Sequence, residues 1–466
     1  MPAHFVSPDD IRTRFSHAMS EMYRTEVPQY GALLELVAEV NARTLHESPE
    51  ALDAAEGDDA LTRLDIERHG AIRLGTPQEL ATVRRLFAVM GMVPVGYYDL
   101  TPAGVPVHST AFRPINEGSL ARNPFRVFTS LLRLELIEDN ALRTRASEIL
   151  SKRQIFTPAL FELLGLHDRQ GGLDDEQATA FVLEALETFR WHSHATVDRA
   201  TYDALHDAHR LIADVVCFKG PHINHLTPRT LDIDATQAGM PNHGITPKAT
   251  IEGPPRRRCP ILLRQTSFKA LEEPILFHNA DNGTQEGSHT ARFGEIEQRG
   301  VALTPKGRAL YDRLLNDAKS FTQGLSGEAY QQALQRAFAD FPDDEATLRR
   351  EGLAYYRYRL VEHAATRLPA SDLPIDIEAC IEALIERDII ATAPIIYEDF
   401  LPVSAAGIFQ SNLGEGGGAS YALKANQEAF EDALGARVTN EFALYEQISR
   451  GSLDHCLTAL GVDIRK

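Results

Sequence analysis

Apolar residues recur at helical spacing through the first 45 residues, as with Leu33, Leu34, Val37 and Val40 in YGALLELVAEVNAR, and predict helix there. The acidic stretch ESPEALDAAEGDDAL breaks the pattern and reads as a surface loop. Beyond it the pattern predicts a strand near 66–74, a helix over 77–90 and a strand near 94–99. The helix start is marked by Thr76 at the N-cap, Pro77 at the first helical position and Glu79, which completes a capping box. Leu80, Val83, Phe87 and Met90 form its buried stripe, and Gly91 ends it. GVPVHSTAFRP and FRVFTSLLRLELI follow as strands, so the order is β-α-β-β-β.

Residues 138–216 return to helical periodicity. PHINHLTPR, a short helical piece, ITPKATIEG, CPILLRQTSF and ARFGEIEQRG then repeat β-α-β-β-β with longer loops. The organisation expected is an N-terminal helical segment (1–60), a first βαβββ unit (61–137), a helical insertion (138–216), a second unit (217–301) and a helical C-terminal region (302–466). Within the last, an apolar then glycine-rich segment near 394–418 is placed to cover a pocket. The fold class is α+β, with two βαβββ units forming a cupped, barrel-like sheet and large helical insertions.

Composition narrows the function. At 466 residues the chain has material for two or three lobes, and 43% apolar with 24% charged residues is ordinary for a globular protein. A net charge of −19, with no basic run beyond PPRRR (read as a solvated turn), excludes nucleic acid as the main partner. Cys217, Cys259, Cys380 and Cys456 lie far apart with no CxxC spacing, so no disulfide framework or zinc ribbon is readable. No stretch approaches the roughly 20 apolar residues that span a bilayer, and the N-terminus lacks the apolar core of a signal peptide. No membrane partner and a cytoplasmic location are therefore expected. On so acidic a chain, an arginine inside a cleft marks an anionic substrate.

Metal ligands in a cupped sheet of this kind come from its first and last strands. The first strand of unit one offers His69, the first of unit two His225, and the last of unit two Glu295. Glu297 shares the face of Glu295, so parity leaves both open. Two imidazoles and one carboxylate can occupy one face of an octahedral metal and leave positions open. His222 lies an odd number of residues from His225 and is expected to face the other way. Arg73 lies four residues from His69, on the same strand face, roughly 13 Å along. Its guanidinium suits a carboxylate. Competing histidines are His192 and His194 of WHSHATVD, read as a helix-terminus or supporting pair, and His108. Glu135, in the place mirroring Glu295, is read as an ordinary barrel residue. LGEGGG (413–418) is read as a flexible loop, and Gln265 as a cup residue facing substrate or making a structural hydrogen bond.

RHGAIRLGT, HINHLTPR, RQTSFKAL and FGEIEQRG resemble the 2-oxoadipate dioxygenase/decarboxylase family of the vicinal-oxygen-chelate superfamily, over nearly the whole chain. FGEIEQRG is also similar to the metal-bearing last strand of 4-hydroxyphenylpyruvate dioxygenase, a likeness that selects Glu295 over Glu297. The resemblance implies Fe(II) held by His69, His225 and Glu295, with Arg73 on the distal carboxylate of the substrate. It implies that Val403 and Ser404 shape the pocket. It implies conversion of a 2-oxo diacid, 2-oxoadipate, with O₂ to 2-hydroxyglutarate (expected in the D form) and CO₂, in lysine catabolism. The rival on the same cup is a metal-dependent lyase or hydrolase, using Zn²⁺, that acts on another small anion. A binding protein without chemistry is the third reading.

Overall fold

In the computed structural model, which describes residues 5–48, 60–278, 283–361, 374, 376–401 and 417–462, strands of both units share one curled sheet. Unit one supplies β1 (Arg68–Leu74), β2 (Val93–Asp99), β3 (Val107–Arg113) and β4 (Arg126–Leu132). Unit two supplies β5 (His225–Pro228), β6 (Leu263–Ser267), a separate hairpin of β7 (Glu272–His278) with β8 (Thr284–Thr290), and β9 (Phe293–Arg299). The order across the seven-stranded sheet is β2-β3-β4-β1-β5-β9-β6. In each unit the first strand lies parallel to the last, β1 with β4 and β5 with β9. Parallel neighbours need a long crossover, which the helix and hairpin between them supply. The two first strands meet antiparallel, with His69 opposite Thr227 and Gly70 opposite Leu226. The two units thus close into the cupped sheet expected of paired βαβββ units.

Gly70 is needed at that seam. A Cβ there would lie 2.6 Å from Cδ1 of Ile223 and 3.0 Å from the carbonyl oxygen of His225.

The predicted crossover helix spans Pro77–Val89, and its capping box forms: Thr76 accepts from the Glu79 backbone while the Glu79 carboxylate accepts from the N-cap backbone. Leu80, Val83, Phe87 and Met90 are fully buried. They pack with Ile72 and Leu74 of β1 and with Phe15, Tyr23 and Leu33 from two N-terminal helices, Pro8–Glu26 and Pro28–Glu47. The region 138–216 holds five helices: Asn140–Ser151, Pro158–Gln170, Asp175–Glu187, Arg199–Ala208 and Arg210–Val216.

Four stretches depart from expectation. ITPKATIEG makes only isolated bridges, Pro247 with Phe268 and Glu252 with Gln265, because Pro247 lacks a donor and Gly253 (φ +99°) turns the chain. The 302–390 region contains helices but also β10 (Tyr356–Leu360), which pairs antiparallel with β11 (Ile390–Pro394). Tyr and Arg alternate through YYRYRL, a period of two that fits a strand better than a helix. The β7–β8 hairpin also lies outside the expected strand set: β7 alternates, with Ile275 and Phe277 buried, while most of β8 is polar and exposed. PPRRR is not simply solvated either: Arg257 donates to the carbonyls of Phe341 and Pro342. Among the described residues, no helix is long and apolar enough to cross a membrane.

Candidate metal centre

The pairing of β1, β5 and β9 brings His69, His225 and Glu295 together. One ligand atom from each lies within 4.8 Å of the other two, and no other trio of His, Cys, Asp or Glu among the described residues converges so. Nε2 of His69 stands 3.4 Å from Oε1 of Glu295. The two imidazoles meet edge to face, with centroids 5.4 Å apart. Nδ1 of His225 is buried without a hydrogen-bond partner, the condition of a nitrogen free to ligate. Two nitrogens and one carboxylate oxygen make a donor set that fits a divalent first-row ion with positions left open. Burial pulls the His225 imidazolium down to about 4, only partly offset by Glu295, so the ring is neutral near pH 7. At Glu295 burial favours the acid form, but His225 and His69 outweigh it and hold the carboxyl below its ordinary range.

Glu297, two residues on along β9, serves the same ring from its other side. Its Oε2 lies 2.9 Å from Nδ1 of His69, a close contact off the line of a well-directed hydrogen bond. Burial lowers the His69 imidazolium, yet Glu297 and Glu295 together raise it above its ordinary value. Glu297 is itself fully buried, and Arg299 and His69 overcome burial to hold it at about 2. Arg299 grips Glu297 through two nitrogens at 2.9 and 2.8 Å, and Arg126 lies 3.4 Å away. Glu67 is buried among these guanidiniums, 2.9 Å from Arg126 and 3.2 Å from Arg229.

A cavity of about 420 Å³ opens from the trio. Its apolar wall includes Leu100, Val105, Val107, Phe128 and Phe400. The Phe400 ring meets His69 edge to face at 4.9 Å. Polar groups on the wall include Gln265, Glu252, Lys248 and Arg73. Burial pushes the Glu252 carboxyl up to about 7 against the pull of Lys248. Arg73 is partly exposed, and its Nη1 donates to Oδ2 of Asp214 at 2.8 Å.

Comparison with known proteins gives this geometry a family. The family model for 2-oxoadipate dioxygenase/decarboxylase matches residues 15–412. The chain belongs to that family. It is 59% identical to the 2-oxoadipate dioxygenase/decarboxylase of Pseudomonas putida, covering 99% of each chain. It is 59% identical to the Escherichia coli protein of the same name, covering 97% of this chain and 99% of that one. It is similar in structure to the hydroxyglutarate synthase of Pseudomonas putida in complex with 2-oxoadipate. There the TM-score is 0.88 and the identity 58%, covering 98% of this chain and 99% of that one.

Other expected site residues of this family member fall out as follows. Val403 and Ser404 lie outside the described residues, as does most of the expected covering segment; of its described part, Phe400 and Leu401 line the cavity. Glu135 does not mirror Glu295. His69 lies opposite Arg126 and His225 opposite Phe293, so the counterpart of Glu295 is Phe128. Glu135 sits beyond β4 in a short 3-10 turn, exposed and paired with Arg133. His222 precedes β5 rather than lying in it and approaches Asp214 at 3.4 Å. His192 and His194 follow the helix that ends at Glu187, and neither lines the cavity; the backbone of His194 bridges to Leu276. His108 is buried beside Tyr97 and Phe430. Of LGEGGG, residues 413–416 lie outside the described residues, and Gly417 opens the helix Gly417–Leu434.

Sequence reading missed Asp214, Glu252 and Phe400 and left Glu297 without a role. For Asp214 the available signal was one acid inside the apolar run LIADVV, since a buried carboxylate needs a cation. For Glu297 it was the Arg two residues on.

Proposed function

We propose that this protein is an Fe(II)-dependent dioxygenase/decarboxylase that converts 2-oxoadipate and O₂ to 2-hydroxyglutarate, in the D form, and CO₂. The observation that carries the reading is a single cavity with a His-His-Glu trio in its wall and an arginine set along the same strand. Family membership supplies the substrate class, and with it an expected place in lysine catabolism.

His69, His225 and Glu295 would hold the ion, which supplies the dioxygen chemistry that side chains lack. The protein's own part is binding, orientation and exclusion of water. Glu297 fixes the His69 ring from behind, as outer partners of metal-bound histidines do. Arg73 takes the distal carboxylate of the diacid in a charge-assisted contact, leaving the 2-oxo acid end at the trio. Leu100, Val107, Phe128 and Phe400 keep the intervening space dry. A dry wall strengthens both polar contacts and shields the reacting carbon. Gln265 offers an amide to the substrate's oxygens. The shortened product keeps its distal carboxylate, so Arg73 holds it through both halves of the reaction.

The test is anaerobic reconstitution with Fe(II), followed by O₂ uptake and CO₂ release with a series of 2-oxo diacids. One O₂ consumed per CO₂ released, with 2-oxoadipate preferred, is the expected result. Turnover without O₂, or equal activity with Zn²⁺, would instead establish a lyase or hydrolase.

A further inference from the structure

Arg73 does not reach into the cavity as a free side chain. Among the described residues its hydrogen-bonding partner is Asp214, on the short helix Arg210–Val216 of the helical insertion. Asp214 is buried and held on its other oxygen: Oδ1 lies 2.9 Å from Nε2 of His289 on β8. Nε2 of His222 lies 3.4 Å from that same oxygen. His289 is braced in turn, with its Nδ1 2.8 Å from the Tyr202 hydroxyl on the helix Arg199–Ala208. Both imidazoles pack against Trp191, His222 edge-on at 4.7 Å and His289 stacked at 6.2 Å. His289 and His222, from two segments outside β1, thus flank one oxygen of this carboxylate, and its other oxygen grips the tip of one cavity arginine.

We propose that Asp214 is a specificity-determining, positioning residue: it fixes the Arg73 guanidinium at a set distance from the trio and so sets the tail length of the diacid. The inference rests on the reading of Arg73 given above. An unheld arginine carries about 2 kcal/mol of rotamer freedom and can follow a carboxylate to several positions. A pinned one discriminates, since a shorter tail falls short of it and a longer tail must buckle. Loss of charge at Asp214 has a separate effect. It would strengthen attraction to every diacid alike and leave ratios between lengths unchanged. The two effects are therefore separable in one experiment.

The experiment compares the metal-loaded parent with Asp214→Asn, Asp214→Ala, His289→Gln and His289→Leu. Dissociation constants for 2-oxo diacids of five, six and seven carbons are measured by anaerobic titration, alongside KM and kcat for each. In the parent the six-carbon acid is preferred. In Asp214→Ala that preference over its neighbours falls about tenfold, the worth of one charge-assisted hydrogen bond, with kcat on the six-carbon acid changing less than KM. Asp214→Asn shows a smaller fall. His289→Gln, which keeps an N–H where Nε2 stood, retains the preference, and His289→Leu loses it. Should the Asp214 variants fail to fold, the His289 pair decides alone. An unchanged length preference in Asp214→Ala, or equal preference in His289→Gln and His289→Leu, overturns the inference and leaves the proposed function standing. A parent that binds and oxidises no 2-oxo diacid overturns both.

Discussion

Glu297 reaches the face of His69 opposite the ligand trio: its carboxylate lies 2.9 Å from Nδ1, while Nε2 of the same ring turns to Glu295. Glu297→Gln should therefore weaken metal binding roughly 10–100-fold while leaving all three ligands in place. It also removes one of the anions facing Arg299 and Arg126, and because Glu67 and Glu398 remain beside them the loss of stability should stay below the roughly 3–5 kcal/mol of an uncompensated buried charge. Metal titration and urea unfolding measure the two effects. Parent-like values in both would remove Glu297 from the site.

His69→Ala, His225→Ala and Glu295→Ala should each abolish bound iron. Metal analysis of purified variants, with circular dichroism to establish folding, gives the answer. A variant that keeps stoichiometric iron is not missing a ligand.

Arg73→Ala should keep iron and lose the preference for diacids over 2-oxo monoacids of equal length. The ratio of kcat/KM values reads this directly. Retained preference would assign the distal carboxylate to another group.

Through its buried histidines, acid should destabilise the protein above the pH range in which ordinary carboxylates titrate. Burial lowers His108 to about 4 and His222 to about 3, against an ordinary value of 6.5. Between those values and 6.5 the unfolded chain binds more protons than the folded one. Stability is therefore full above 6.5 and falls as the pH drops toward the folded values, by up to about 1.4 kcal/mol per pH unit for each group. His69, raised by its two carboxylates, and Glu252, raised by burial, contribute with the opposite sign, and their share is lost as the pH rises through their folded values. Urea midpoints of metal-free protein between pH 4 and 7 should fall on the acid side. The fall should be shallower in His108→Gln, and an identical slope would show that His108 does not titrate in that window.

Gly70→Ala changes no ligating side chain yet should lower metal affinity. The added methyl would crowd Ile223 and the His225 carbonyl, pushing the two first strands apart. Metal affinity would fall with the sheet otherwise intact by circular dichroism, and unchanged affinity would mean that the seam absorbs the methyl.

Much of this was legible from residues alone because it follows short-range rules. The capping box at Thr76 and Glu79 and the stripe through Leu80 and Phe87 are local and appear as read. Strand position alone put His69 and His225 on the site face together with Glu295 or Glu297, and the family likeness chose Glu295. What was missed depends on partners distant in the chain. Parity gave Glu295 and Glu297 the same face but could not say which of them meets Nε2 and which Nδ1 of a ring on β1. Asp214 sits in an otherwise apolar helical run, and its meaning comes from Arg73 and His289, both remote in sequence. β10 carried its signal openly, in alternating Tyr and Arg, but was outvoted by the helical stretches around it.

The short antiparallel seam of β1 with β5 has a further consequence. A one-residue slip there would send His69 to the opposite side of the sheet and dissolve the trio. A bound ion would act as a rivet through both halves of the cup, locking that alignment. Chelation should then quicken amide exchange along Gly70 and Thr227, far more than at the sheet's outer edge on β2.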